Sequence, residues 1–126
     1  MKEITKIISI VILAITFGGF TRCTFDQIPP EPVLVPDSVS FSVDVVPIFD
    51  MSCNSAGCHN TGGVAPDLTA DNSWVNLVYF AFVDTAAPDE SILMKKITAP
   101  GTMAQFVTDQ EHAVILQWIT QGAPNN

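Results

Sequence analysis

Three residues in this chain have the types and spacing for chemistry: Cys53, Cys58 and His59, in the run Cys53-Asn54-Ser55-Ala56-Gly57-Cys58-His59. Two cysteines with a histidine directly after the second form the pattern of covalent haem attachment. Each thiol adds to one porphyrin vinyl group, so the loop between them must span neighbouring vinyls along one edge. The residue after the second cysteine then lies under the ring, where an imidazole can reach the iron. The more common spacer is two residues, and a longer one leaves that logic intact. Small Ser55, Ala56 and Gly57 suit a loop pressed against a flat macrocycle. Two other readings stay open on the residues alone. The cysteines could close a small loop as a disulfide in an oxidising compartment, making a haem-free exported interaction module. They could also bind zinc with His59, although a four-ligand site would have to draw on His112.

The remaining chain must supply elements to position this loop, and its periodicity predicts short helices with long connections. Asp44 is placed to cap a first helix with Pro47 in its first turn, where a missing donor costs nothing. Val43 and Ile48 then fall at hydrophobic-staple positions, and Val45 and Phe49 form an apolar stripe. A second helix is expected over 72–80, with Trp74, Leu77 and Val78 on one side. A third is expected over 88–97, with Ile92, Leu93 and Ile97 inward. Thr108-Asp109-Gln110-Glu111 reads as a capping box that opens a last helix. Its buried stripe is Val114, Ile115, Trp118 and Ile119, and Gly122 ends it. No stretch alternates as a strand would, so the expected fold class is all-α. The paired acids Asp89-Glu90 and Asp109/Glu111 read as helix N-terminal residues.

Residues 1–22 read as a secretion signal: Lys2 and Lys6 precede an apolar run over 7–17 that is too short for a membrane span. Phe20-Thr21-Arg22-Cys23 resembles a lipobox, with Arg22 where a small residue is usual, and it makes Cys23 the expected lipidation site. The working domain is therefore expected outside the cytoplasm, in the periplasm or cell envelope, held to a membrane by an N-terminal lipid anchor. Residues 23–37 include Pro29, Pro30, Pro32 and Pro36 and read as a semi-rigid tether. Residues 38–126 are the expected domain, small enough that one core is marginal without a staple.

The whole chain of 126 residues carries a net charge of −8. Of its 13 acids only Glu3 precedes Cys23, and the cations after Arg22 are Lys95 and Lys96, so the exported part is more acidic still. With no basic stripe, nucleic acid is excluded as a partner, and a protein partner is expected to present a basic surface.

From residue 41 to residue 123 the chain resembles the small class I cytochrome c domains of exported bacterial proteins, especially lipoproteins of the Bacteroidetes type. The resemblance rests on Val45-Val46-Pro47-Ile48-Phe49 before the motif, then Cys53, Cys58 and His59, with Ala65-Pro66-Asp67-Leu68 in the following loop. Asp89-Glu90-Ser91-Ile92-Leu93 precedes a methionine loop, and Trp118-Ile119-Thr120-Gln121-Gly122-Ala123 closes the last helix.

The resemblance implies N- and C-terminal helices that cross, with Phe49 and Trp118 large enough to make the contact. One covalent haem c would lie in a crevice between helices and loops and serve as the missing staple. It also implies that the Pro66 carbonyl accepts the second ring proton of the proximal His59, which fixes its tautomer. For the sixth iron ligand the candidates are Met51, Met94, Met103 and His112. Met51 lies just before Cys53, Met94 sits among core residues, and His112 is the runner-up. Met103, after Ala99-Pro100-Gly101-Thr102, matches the family's methionine loop, although no proline follows it. The implied activity is electron transfer by a carrier, not an enzyme; the alternative within haem proteins is an open sixth site, as in a haem enzyme or gas sensor.

Overall fold

The computed structural model describes residues 32–126, which form one compact unit. The expected signal, Cys23 and the tether up to residue 31 lie outside the described residues. Helices and turns make up all the regular structure there, and no strand occurs among them. No helix among the described residues is long and apolar enough to cross a membrane.

The first helix starts earlier than the Asp44 cap predicts. A π-helical turn, Phe41–Val45, runs directly into α1, Val46–Ser52. Its cap is Ser40, whose Oγ accepts the Val43 N–H, while Asp44 Oδ2 reaches back to accept the Ser40 N–H at 2.7 Å. Asp44 thus plays the reciprocal part of a capping box rather than the cap itself. The wide π turn has a reason in Pro47. Its ring would crowd the carbonyl four residues back in a regular helix, and a wider turn with i−5 bonding, such as Val46 N–H to Phe41 O, relieves that contact. The shifted start also rotates Val43 outward to 70% exposure, so the expected Val43–Ile48 staple does not form. Val45 and Phe49 are buried as the periodicity predicts.

A π-helical turn at Val75–Tyr79 stands where the second helix was expected and buries Leu77. The expected helix over 88–97 is broken in two: a 3-10 turn, Pro88–Glu90, then α2, Ile92–Ile97. The break is at Ser91, which takes an extended conformation so that its buried hydroxyl can accept the Asp84 N–H at 2.9 Å and donate to the Asp84 carbonyl. This rotates the inward set to Leu93, Met94 and Ile97 and leaves Ile92 47% exposed.

A 3-10 turn, Ala104–Phe106, leads to α3, Asp109–Thr120. Both halves of the Thr108/Glu111 capping box are present, and Val114, Ile115, Trp118 and Ile119 are buried. The helix ends in a Schellman arrangement, with Ala123 N–H bonded to Trp118 O and Gly122 N–H to Ile119 O. The two indole N–H groups then fasten the tail: Trp118 Nε1 donates to Pro124 O and Trp74 Nε1 to Ala123 O, each at 2.9 Å.

The first helix packs on α3, but the ring that meets Trp118 is Phe41, not Phe49. The Phe41 and Trp118 centroids are 4.9 Å apart, and Phe41 also stands edge-on to Phe49 at 6.5 Å. The π turn carries Phe41 over α3 and gives it the central place. Asn126 returns to the same spot, its carbonyl accepting the Ser42 N–H and its Oδ1 the Phe41 N–H, both at 2.8 Å. The stretch entering the domain is also held to α3 by glutamines. Leu34 N–H donates to Gln110 Oε1, Val39 N–H to Gln121 Oε1, and the side-chain amides of Gln117 and Gln121 reach Asp37 O.

Phe41→Ala should cost about 3–5 kcal/mol, the range for a buried ring that leaves a cavity. Val43→Ala, two residues away on the exposed side, should stay within about 0.5 kcal/mol of the parent. Urea unfolding followed by circular dichroism checks both; equal losses would contradict the helix register described here.

Candidate functional site

The attachment loop begins where α1 ends. Cys53 N–H and Asn54 N–H both donate to Phe49 O, closing the helix and turning the chain. Asn54 Nδ2 then bonds Asp50 Oδ1 and Leu68 O, tying the two ends of the 54–68 loop region together. Within it Cys58 N–H bonds Ser55 O and His59 N–H bonds Cys53 O, which folds the four-residue spacer back so that both cysteines border one space. Both are free thiols, Cys53 half-buried and Cys58 exposed. Burial, the Glu111 carboxylate and the neighbouring Cys58 together push the Cys53 thiol up to about 11, so it is protonated at neutral pH. A zinc site would require thiolates. Among the described residues no group of three or more His, Cys, Asp and Glu side chains is arranged to hold a metal ion.

His59 is oriented by backbone. Its Nδ1 lies 3.0 Å from Pro66 O and 3.1 Å from Val64 O. A carbonyl oxygen only accepts, so Nδ1 carries a proton, and the tautomer this selects is the one whose lone pair lies on Nε2. The Val64 carbonyl is a partner that the sequence reading missed. The signal for it was Gly62-Gly63: a Cβ at Gly63 would collide with Cys58 O and the Asn60 side chain, so the chain turns back this closely only with glycine there. The loop beyond is held by Asp67, which accepts from Thr69 N–H, Thr69 Oγ1, Thr61 Oγ1 and Asn72 Nδ2 at 2.6–3.1 Å.

Cys53, Cys58, His59, Pro66 and Met103 all border one cavity of about 480 Å³. That volume is in the range of small-molecule and cofactor sites, roughly 300–1,000 Å³. The wall is apolar, built from Phe49, Leu68, Leu77, Leu93, Ile97 and Ile115, with exposed Lys96 as the cation on its border. Met103 comes to it on the loop after α2. Its N–H donates to Lys96 O at 2.9 Å, and Gly101 passes so close to the carbonyls of Lys95, Lys96 and Thr98 that a Cβ would strike all three.

The other candidates for the sixth ligand lie elsewhere. Met94 is 1% exposed in the core, Met51 is 78% exposed at the end of α1, and neither borders the cavity. His112 is turned away on α3, its Nε2 2.8 Å from Thr98 Oγ1. The site thus assembles two thiols, an imidazole with a fixed tautomer and a thioether around an apolar space. Imidazole nitrogen and thioether sulfur are ligands that suit iron and copper.

No protein-family model, curated protein or solved structure matches this chain.

The four hydrogen bonds on Asp67 set an acid dependence. Bonds from the Thr69 hydroxyl and backbone, with those from Thr61 and Asn72, hold its carboxyl below the usual 3.8. A lowered carboxyl adds stability above pH 3.8 and loses it as pH falls through the lower folded value. Asp67→Asn should therefore unfold at lower urea than the parent at pH 6. The gap should narrow as pH falls from 3.8 through the lower folded value, below which the parent's own carboxyl is protonated. A gap independent of pH would rule out the ionised Asp67 as the loop's anchor.

Proposed function

We propose that residues 38–126 are a monohaem c-type cytochrome domain of the class I type that carries electrons outside the cytoplasm, without enzymatic turnover. The observation that carries this reading is the convergence of Cys53, Cys58, Met103 and His59, with its Nδ1 held by the Pro66 carbonyl, on a single apolar cavity. These residues fit a covalently attached haem by their chemistry. Cys53 and Cys58 would hold the porphyrin as thioethers, and His59 Nε2 and Met103 Sδ would bind its iron. When bound, haem supplies a one-electron iron couple, tuned by ligand type and surroundings.

The chain's own residues do the rest. The Pro66 and Val64 carbonyls keep the imidazole in one tautomer and orientation, which strengthens it as a ligand. The apolar wall excludes water and lowers the local dielectric. The Lys96 and Gly101 backbones fix the loop that presents Met103. With a thioether available at the cavity, the open-site reading of an enzyme or gas sensor has less support than a carrier. The same proposal places the domain in the periplasm or cell envelope, anchored by a lipid on Cys23, and gives it a redox partner with a basic docking surface. That docking should weaken as salt rises.

An alkaline pyridine spectrum of protein made in a host competent for cytochrome c maturation should show one haem per chain with both vinyl groups saturated. The haem should stay with the chain on a denaturing gel. Absence of covalent haem would overturn the reading and leave the haem-free module.

The oxidised protein should show a weak sulfur–iron charge-transfer band at the red end of its spectrum. Met103→Ala should abolish the band and let carbon monoxide bind the reduced protein at neutral pH, whereas His112→Ala should do neither. If His112→Ala has both effects and Met103→Ala neither, the ligand is misassigned.

A further inference from the structure

We propose that Glu111 sets the charge at the cavity: its carboxylate, fixed between α3 and the end of α1, lowers the reduction potential of the iron. The inference rests on the cytochrome reading above. Glu111 stands in the first turn of α3, and its Oε2 completes the capping box by accepting from Thr108 N–H at 2.8 Å and Thr108 Oγ1 at 2.9 Å. A cap needs only that one oxygen. The other, Oε1, crosses to α1 and accepts from Ser52 Oγ at 3.2 Å. Ser52 and Cys53, consecutive at the end of α1, both border the cavity, as do Val107 and Ile115 on either side of Glu111 in sequence.

Glu111 is half-buried as a residue, and no cation pairs with it among the described residues; the ion pair there joins Lys95 Nζ to Glu90 at 2.7 Å. A half-buried charge is screened less than one in open solvent. Cys53 borders the cavity, and after burial the Glu111 carboxylate is the next cause that raises its thiol. Oxidised iron carries one more positive charge than reduced iron, so a fixed anion nearby favours the oxidised form. The N-terminus of α3 carries a partial positive charge that offsets part of this field, and it would remain if the carboxylate were removed.

Glu111→Gln tests the charge apart from the structure, because a capping box accepts glutamine at this position and the amide oxygen can still accept a hydrogen bond. With the whole chain loaded with haem, the variant should keep the pyridine spectrum and the charge-transfer band of the parent while its midpoint potential rises. Asp109→Asn makes the same change in net charge on an exposed residue of the same helix turn and should leave the potential near that of the parent. An unchanged potential in Glu111→Gln, or an equal rise in Asp109→Asn, overturns the proposal.

If the parent carries no covalent haem, it is the cytochrome reading that fails. The charge is then read on the Cys53 thiol by alkylation with iodoacetamide at a fixed, mildly alkaline pH. Faster modification of Cys53 in Glu111→Gln than in the parent supports the charge role, and equal rates overturn it.

Discussion

The contact between His59 Nδ1 and the Pro66 carbonyl, 3.0 Å long, is the interaction on which the rest of the site depends. It joins two parts of one loop that would otherwise be independent: the turn that carries both cysteines and the turn that leads into the core at Leu68. The bond directs one ring nitrogen to backbone and leaves the other for a ligand. Around it, Leu68 N–H returns to His59 O, Val64 N–H to Cys58 O, and Asp67 gathers three neighbours. A loop rich in small and polar residues is thereby given the rigidity that a fixed ligand requires.

That loop leaves from the end of α1, so its position depends on how α1 is held against α3. The Phe41–Trp118 contact fixes α1 against α3, and Glu111 joins the far end of α1 to the start of α3 through Ser52. The chain termini of the domain add to the same packing. Asn126 covers the start of the π turn, and Gln110, Gln117 and Gln121 hold residues 34–39 along α3. Small domains have little apolar area to bury, so side-chain amides take up part of the work of closure. The cavity, about 480 Å³, falls within the size range of small-molecule and cofactor sites.

Charge is distributed in opposition to that cavity. The described surface is strongly acidic while the cavity wall is apolar, with Lys96 on its border and Glu111 behind it. Exposed acids act at long range and are screened by salt, so they bear on encounter with a partner. A half-buried acid acts at short range and bears on the site itself. The two kinds of carboxylate are thus suited to different tasks although composition does not distinguish them.

Several features were legible in the residues alone because they depend on local chemistry. The Thr108/Glu111 cap, the stripe from Val114 to Ile119, the helix end at Gly122 and the absence of strands among the described residues follow from patterns within a few residues. The pairing of Cys53, Cys58 and His59 was also local, and Met103 could be singled out by its loop. Tertiary structure alone decided the rest. Pro47 forced a wide turn that moved the cap from Asp44 to Ser40 and exchanged Phe49 for Phe41 at the helix contact. Ser91 broke a helix that its apolar period would continue, because its hydroxyl was needed by the Asp84 backbone. The Val64 carbonyl, the Lys96 border and the Ser52–Glu111 bond link residues distant in sequence or use backbone atoms, which residue type does not reveal. Periodicity reports which face of a segment is apolar; it cannot report which distant hydrogen bond that face must yield to.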